Sequence, residues 1–127
     1  MTGKDSRMAL PSEAELLRIY IGSQDGGYDQ PLYKVIVEKA YRRGLAGATV
    51  LQGREGFGAN KHVHMNGACH MCENVPVVIE TVDRPERIAE FLPDLEGMIG
   101  EGMATVEPVR AVFYRYPPKT AVGENKK

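Results

Sequence analysis

Cysteine is scarce in this 127-residue sequence, because only Cys69 and Cys72 occur. Two cysteines are too few for a disulfide scaffold, and in a reducing compartment such a pair more often binds metal, takes part in redox chemistry or is incidental. Long apolar runs are also absent, so no segment is predicted to span a bilayer. The polar start, residues 1–12, lacks the apolar core of a signal peptide. The cytoplasm is therefore the expected location.

An excess of charge of one sign is absent as well. The chain has 16 lysines and arginines against 17 aspartates and glutamates, a formal net charge of -1. A dedicated nucleic-acid binder normally carries a basic excess, so no nucleic-acid partner is expected. Hydrophobic residues make up 43% and charged residues 26%, as in ordinary globular proteins, and the length suits one domain with a modest core.

The two ends of the chain differ from its middle. Residues 1–13 are small and polar, and residues 115–127 carry Pro117 and Pro118 and end in two lysines. Neither end has enough apolar surface to offset the entropy of ordering a chain. We therefore expect flexible tails at both ends and one folded domain over residues 14–114.

Four segments are predicted as strands. Residues 16–22 alternate, with Leu17, Ile19 and Ile21 on one face. Residues 46–52 include Thr49, Val50 and Leu51. Residues 75–82 are rich in β-branched side chains and are bounded by turn formers. Residues 103–113 supply a last strand, which Pro108 should interrupt.

Two segments are predicted as helices. The first begins near Pro31 and ends where Gly44 can adopt a left-handed cap. Its apolar stripe is Leu32, Val35, Ile36 and Ala40. The second begins at Pro85, and Pro93 should kink or split it. Its inward-facing residues are predicted to be Ile88, Phe91, Leu92, Leu95 and Ile99.

The remaining segments, residues 53–74 and 97–102, have no usable period and are predicted as a loop and a glycine-rich turn. The order of elements is then β-α-β-β-α-β. This order predicts an α+β, ferredoxin-like sandwich, with a four-stranded antiparallel sheet and both helices on one face. The opposite sheet face would be left bare. A small domain usually hides such a face by self-association, so we expect a homo-oligomer.

Three stretches together resemble the PII signalling superfamily. Residues 44–50 (GLAGATV) are similar to the start of its second strand, and residues 56–58 (GFG) are similar to the opening of its sensing loop. Residues 97–102 (GMIGEG) resemble its nucleotide loop. The runs LLRIYIG, GLAGATVLQGREGFG, VPVVIE and FLPDLEGMI are closer still to the PII-like family called domain of unknown function 190. The resemblance covers about residues 16–114.

The resemblance implies a PII-like homotrimer that holds an adenine nucleotide in clefts between subunits. It also implies that the loop after Phe57 changes shape on binding and docks on a partner, commonly a membrane transporter or a metabolic enzyme. The residues expected to bind the nucleotide are Gly56, Phe57, Gly58, Gly100, Glu101, Gly102 and Arg115. The glycines also have a plain structural interpretation, as turn formers and loop hinges.

Several departures from the PII pattern bear on the ligand. Met98 and Met103 stand where PII proteins carry phosphate-holding lysines, and Tyr114 and Tyr116 stand where they carry paired arginines. Backbone N–H groups of the two glycine runs can still form an anion nest, although charge-assisted bonds are about twice as strong as neutral ones. The nearby cations are Arg54, Lys61 and Arg115. A mono-, di- or cyclic nucleotide, or another small anion, is therefore expected rather than a triphosphate.

All histidines and cysteines of the chain lie within eleven residues: His62, His64, Cys69, His70 and Cys72. His62, His64, Cys69 and Cys72 offer a soft, tetrahedral set suited to zinc, copper or nickel. The gap between the two pairs is shorter than in a zinc finger, and the resemblance does not bring these residues with it. Solvated histidines with incidental thiols, and a reversible Cys69–Cys72 disulfide, remain open alternatives.

The sequence contains no motif that indicates an enzymatic activity, so the protein is not expected to be an enzyme. Its glycines do not have the dinucleotide spacing, and no Walker lysine follows them. The acidic residues Glu80, Asp83, Glu86 and Glu90 are interpreted as solvated charge rather than acid–base groups. The preferred hypothesis is a cytoplasmic regulatory trimer with an adenine nucleotide effector and no required cofactor. The alternatives are a metal-binding or metal-sensing trimer and an interaction module without a small ligand.

Overall fold

The main sheet has the topology that the sequence predicts. In a computed structural model that describes residues 12–26, 29–57, 64–65 and 74–115, its strands are β1 (Glu13–Gly22), β2 (Thr49–Gln52), β5 (Pro76–Asp83) and β6 (Met103–Arg110). The helices are α1 (Leu32–Arg42) and α2 (Pro85–Met98). The strands are antiparallel in the order β2-β5-β1-β6. The predicted β-α-β-β-α-β order and the ferredoxin-like sheet are confirmed.

The segment predicted as a pure loop contains a second, small sheet. Its strands are β3 (Glu55–Gly56) and β4 (His64–Met65), which pair antiparallel. The prediction for residues 53–74 is corrected in this respect, because two-residue strands are too short to show any period. Most of both predicted tails, residues 1–11 and 116–127, lies outside the described residues.

Alternate residues of the central strands form the core beneath the helices. The strand residues that face the helices are Leu17, Ile19, Ile21, Val77 and Ile79, all almost fully buried. The helices bury Leu32, Ile36, Ala40, Ile88, Phe91 and Leu95 against them. Val35 and Ile99 are half-buried, whereas Leu92 is 36% exposed and the prediction for it is wrong. Leu92 follows Phe91 and therefore points about 100° away around the helix.

The end of α1 is built as the sequence predicts. Gly44 has φ +79°, the left-handed conformation that favours glycine. Its N–H donates to the Tyr41 carbonyl at 3.1 Å, and the Leu45 N–H donates to the Ala40 carbonyl at 3.1 Å. These two bonds form a Schellman cap, which satisfies carbonyls that the helix leaves open.

Two prolines disturb their elements less than the sequence predicts. The helix α2 contains Pro93 and continues to Met98, so Gly97 and Met98 belong to the helix rather than to the glycine-rich turn. The strand β6 runs through Pro108 without interruption, because it is an edge strand and pairs on one side only. It ends at Arg110, three residues earlier than predicted.

Polar side chains of β5 hold the connection between α1 and β2. Asp83 is 3% exposed and accepts hydrogen bonds from the backbone N–H of Ala46 at 2.8 Å and of Arg84 at 2.7 Å. The Thr81 hydroxyl donates to the Gly47 carbonyl. Asp83 is thus a buried structural acceptor, and its interpretation as solvated charge is wrong. These bonds place β2 beside β5.

The other face of the main sheet carries no helix among the described residues. Its apolar side chains are half-buried or exposed: Leu16, Tyr20, Leu51, Val78, Val82 and Met103. Arg18 lies at its centre, 2.9 Å from Glu80 and 3.7 Å from Glu107. The hydrogen bond to Glu80 raises the pKa of the Arg18 guanidinium. In the described part of the chain, neither helix is long and apolar enough to cross a membrane.

Candidate functional site

A cavity of about 540 Å³ lies at one end of the main sheet. Because β1 is antiparallel to both neighbours, its C-terminal end meets the start of β5 and the start of β6, with Gly22 opposite Pro76 and Tyr20 opposite Met103. The predicted nucleotide residues Gly56, Phe57, Glu101 and Gly102 all line this cavity. The fold therefore brings together two glycine-containing runs that are far apart in the sequence. We call this space the sheet-end cavity.

One root of the central loop packs on Pro76 at the wall of the sheet-end cavity. The Gly53 N–H donates to the Pro76 carbonyl at 2.7 Å. A Cβ atom at Gly56 would lie 3.1 Å from Pro76 Cγ, which is tighter than about nine in ten Cβ contacts in proteins. Gly56 is thus favoured by the close approach of the proline ring. The next residue, Phe57, is 65% exposed at the cavity.

The other root of the loop is fastened to the turn after β1. The Asn74 side chain donates to Asp25 at 3.1 Å and accepts from the Gln24 N–H at 2.7 Å. Asp25 also accepts from the Gly22 N–H at 2.8 Å. The buried Ser23 hydroxyl accepts from the Val75 N–H at 3.0 Å. Both ends of the loop are therefore fixed at the cavity.

The glycines of the second run have different surroundings. Gly102 has φ +152°, and a Cβ atom there would lie 2.7 Å from the Tyr20 carbonyl oxygen and 3.0 Å from Ile21 Cγ2. Within the described residues, a Cβ atom at Gly100 would meet nothing within 4 Å, and Gly100 does not line the sheet-end cavity. The fold itself therefore requires glycine at position 102 but not at position 100.

The lining of the sheet-end cavity is mostly apolar and includes two acidic side chains. Its apolar lining includes Tyr20, Ile21, Phe57, Pro76, Val78 and Met103. Its charged lining groups are Asp25 and Glu101, and no lysine, arginine or histidine is among the described residues that line it. Such a wall suits a flat ring with hydrogen-bond donors, whereas a phosphate needs a cation from elsewhere.

Arg115 is not brought to this cavity within one chain. Its guanidinium lies 4.4 Å from the centre of the Phe113 ring. The adjacent Tyr114 lines a separate hollow of about 270 Å³ with Leu16 and Thr49, at the other end of the sheet. The seven residues from Leu16 to Gly22 are six steps of the strand, which span roughly 20 Å. Arg115 therefore lies far from the cavity of its own chain.

The predicted metal ligands are only partly described. His62, Cys69 and Cys72, as well as Gly58 of the nucleotide set, lie outside the described residues. His64 belongs to β4, and its backbone pairs with Gly56. Among the residues that the structure covers, no group of three or more histidine, cysteine or acidic side chains is arranged to hold a metal.

Asp25 and Asn74, which shape the cavity, are not indicated by any motif in the sequence. Residues 24–30 carry turn chemistry, so a turn was predictable there, but nothing local indicates that Asp25 meets Asn74. The two residues are 49 positions apart and meet because β1 and β5 are paired. Such a contact follows from the register of the sheet and not from a motif.

Solved structures of PII-like proteins share this fold. A Thermus thermophilus protein described as PII-like and signalling matches 83% of this chain and 94% of its own, with a TM-score of 0.59 and 24% identity. CPII of Thiomonas intermedia, a nitrogen regulatory PII-like protein bound to ADP, AMP and bicarbonate, has a TM-score of 0.58 and 14% identity. That alignment covers 78% of this chain and 88% of CPII. At these identities the likeness shows the fold alone.

Sequence relatives indicate the family. A UPF0166 protein of Aquifex aeolicus is 33% identical over 99 residues, which is 78% of this chain and 93% of the relative. A UPF0166 protein of Methanocaldococcus jannaschii is 34% identical over 87 residues, 68% of this chain and 80% of the relative. Residues 14–111 match the sequence profile of DUF190, a family described as an uncharacterized ACR. The chain therefore belongs to the DUF190 family, within the PII-like fold that its sequence resembles.

Proposed function

We propose that this protein is a PII-like regulator that binds a small anionic effector, an adenine nucleotide, and is not an enzyme. The observation that carries the proposal is the sheet-end cavity, where Gly56 and Phe57 of the loop root meet Glu101 and Gly102. CPII, which shares the fold, is bound to ADP and AMP, and this supports an adenine nucleotide. The cytoplasm is the proposed location.

The proposed binding site is completed by a second copy of the chain. The cavity wall supplies apolar surface and carboxylates, whereas Arg115 lies at the other end of the same sheet. A phosphate in the cavity therefore requires a cation that the described walls lack. We assign this role to Arg115 of a neighbouring subunit in a homotrimer. The open face of the sheet supplies the surface on which the subunits would pack.

The proposed readout of binding is the central loop. Gly56 and Phe57 line the cavity and also begin the loop, and Asn74 closes it at the same cavity. A ligand shifts a conformational equilibrium only by contacts that differ between the states. A ligand that contacts Phe57 would therefore favour the loop conformations that keep this ring at the cavity. We propose that the loop then docks on a transporter or a metabolic enzyme.

Calorimetric titration of the full chain with AMP, ADP, ATP and 3′,5′-cyclic AMP tests the nucleotide proposal. The variant Phe57→Ala removes an exposed aromatic ring from the cavity, and Tyr41→Ala is its control, because Tyr41 is 83% exposed on α1 and does not line the cavity. A base stacked on an aromatic ring contributes about 1–3 kcal/mol, so F57A should weaken binding about 5- to 150-fold.

The control should bind as tightly as the wild type. Failure of all four nucleotides to bind would overturn the nucleotide proposal. Equal losses in F57A and Y41A would show that binding does not use the sheet-end cavity.

Metal sensing stays a separate prediction for the segment with His62, His64, Cys69 and Cys72. The pairing of His64 with Gly56 would place a metal in this segment beside the nucleotide cavity. The zinc content of the purified protein and of a Cys69→Ser/Cys72→Ser variant tests the metal prediction. Zinc bound by the wild type should be lost in the variant, because a site that uses both thiolates cannot form without them.

A further inference from the structure

The two carboxylates of the sheet-end cavity, Asp25 and Glu101, differ in the hydrogen bonds that they already accept within the protein. Both carboxylate oxygens of Asp25 accept hydrogen bonds, one from the Gly22 N–H at 2.8 Å and one from the Asn74 amide at 3.1 Å. Asp25 is therefore committed to holding the loop root. Glu101 is exposed and makes no hydrogen bond or ion pair with the described residues. Its carboxylate is the one left for a ligand.

The position of Glu101 determines which part of a nucleotide can lie beside it. A carboxylate accepts hydrogen bonds from hydroxyl and amino groups, and such charge-assisted bonds are stronger than neutral ones. It repels a phosphate unless a cation lies between them, and the described lining of the cavity supplies none. Met103, which follows the Glu101–Gly102 pair on the cavity wall, is uncharged as well.

We infer that Glu101 sets the ligand class of this site: it accepts hydrogen bonds from the ribose hydroxyls and penalises each phosphate beyond the first. This inference rests on the proposed function. One arginine from a second copy offsets part of the charge of a single phosphate, whereas the negative charges that a second and third phosphate add remain opposed by Glu101. AMP is therefore the preferred ligand, ADP binds more weakly, and ATP binds most weakly.

Titration of the full chain in magnesium-free buffer at fixed ionic strength tests this ranking. The ligands are adenosine, 2′,3′-dideoxyadenosine, AMP, ADP and ATP, and the proteins are the wild type, Glu101→Gln and the matched control Glu96→Gln. Glutamine keeps the shape and the acceptor oxygen but removes the charge. Glu96 is exposed on α2 and does not line the sheet-end cavity, so E96Q changes the net charge equally.

Opposite effects on two ligands are expected in E101Q. Adenosine should bind several-fold more weakly, because a charge-assisted bond becomes neutral. ATP should bind more tightly, so that the ratio of the ATP and AMP dissociation constants falls about tenfold. Dideoxyadenosine, which lacks the 2′ and 3′ hydroxyl donors, should bind equally to the wild type and E101Q. E96Q should match the wild type for every ligand.

The outcomes separate this inference from the proposed function. Tightest binding of ATP by the wild type, or an unchanged ATP-to-AMP ratio in E101Q, overturns the role of Glu101 and leaves nucleotide binding in place. Weaker binding of dideoxyadenosine by E101Q than by the wild type overturns the assignment to the ribose. Absence of binding by every ligand overturns the proposed function and this inference together.

Discussion

At the scale of single residues, two glycines of one motif have different structural roles. Gly100 and Gly102 belong to the same six-residue run, which resembles a nucleotide loop. Only Gly102 is required by the fold, because a Cβ atom there would lie 2.7 Å from the Tyr20 carbonyl oxygen and its φ is +152°. The resemblance alone gives both residues the same role, so the distinction needs the structure.

Gly102→Ala and Gly100→Ala should therefore differ in stability. The Cβ atom of G102A would lie 2.7 Å from a backbone oxygen, so we expect a loss of about 1–3 kcal/mol in the free energy of unfolding. G100A places its methyl group in open space and should change that energy by less than about 0.5 kcal/mol. Urea denaturation followed by circular dichroism measures both, and equal midpoints would contradict the argument.

At the scale of elements, an ion pair ties the end of α1 to α2. Arg43 donates to the two Asp94 carboxylate oxygens at 2.7 and 3.1 Å, and the Asp94 side chain is 19% exposed. The hydrogen bond from Arg43 lowers the pKa of Asp94 below its ordinary value of 3.8. The folded state therefore binds this proton less readily than the unfolded chain, and the pair stabilises the fold when Asp94 is ionised.

This stabilisation should be complete above the ordinary pKa of 3.8 and should disappear as the pH falls through the lowered value. The variant Asp94→Asn should be less stable than the wild type near neutral pH. The difference between them should shrink as the pH is lowered below about 4. Urea midpoints from pH 7 to pH 2.5 measure it, with the exposed Asp29→Asn as the control. A D94N deficit that is constant over this range would exclude the mechanism.

Periodicity predicted the elements well where one face is buried. The alternation of Leu17, Ile19 and Ile21 predicts a core face, and these residues are buried. The helical stripe ending at Ala40 also predicts a core face, and its residues are buried except for the half-buried Val35. Contacts between distant segments could not be predicted in this way. Asp25 meets Asn74 through the pairing of β1 with β5, and β6 tolerates Pro108 because of its place at the edge. Both depend on sheet order and register, which local patterns do not contain.

The candidate site, like the fold, could be predicted from the sequence only in part. Gly56, Phe57, Glu101 and Gly102 were indicated by motifs, and they converge on one cavity. Arg115 was also indicated, but it lies at the opposite end of its own sheet. The sequence of one chain does not tell whether a residue contributes to the site of its own subunit or to that of a neighbouring subunit.

At the scale of the whole molecule, the open sheet face and the incomplete cavity point to the same arrangement. The face carries half-buried and exposed apolar side chains around Arg18, and nothing among the described residues covers it. The residues that the structure describes around the cavity include no cation, and the far end of another copy could supply one. A homotrimer packed through this face would bury the apolar surface and complete three sites at once.

Sedimentation equilibrium should therefore give a mass of about 42 kDa, three times the 14.0 kDa of the chain.

Leu51 is 48% exposed and shares the open face with Val78, so Leu51→Asp should place a charge in the interface and release monomers. Tyr41 is exposed on α1, which packs on the opposite face of the sheet, so the variant Tyr41→Asp should remain trimeric. Monomeric L51D should also lose AMP binding, because Arg115 of a neighbour is no longer present. A wild-type monomer that binds AMP as tightly as any assembly would refute the shared site.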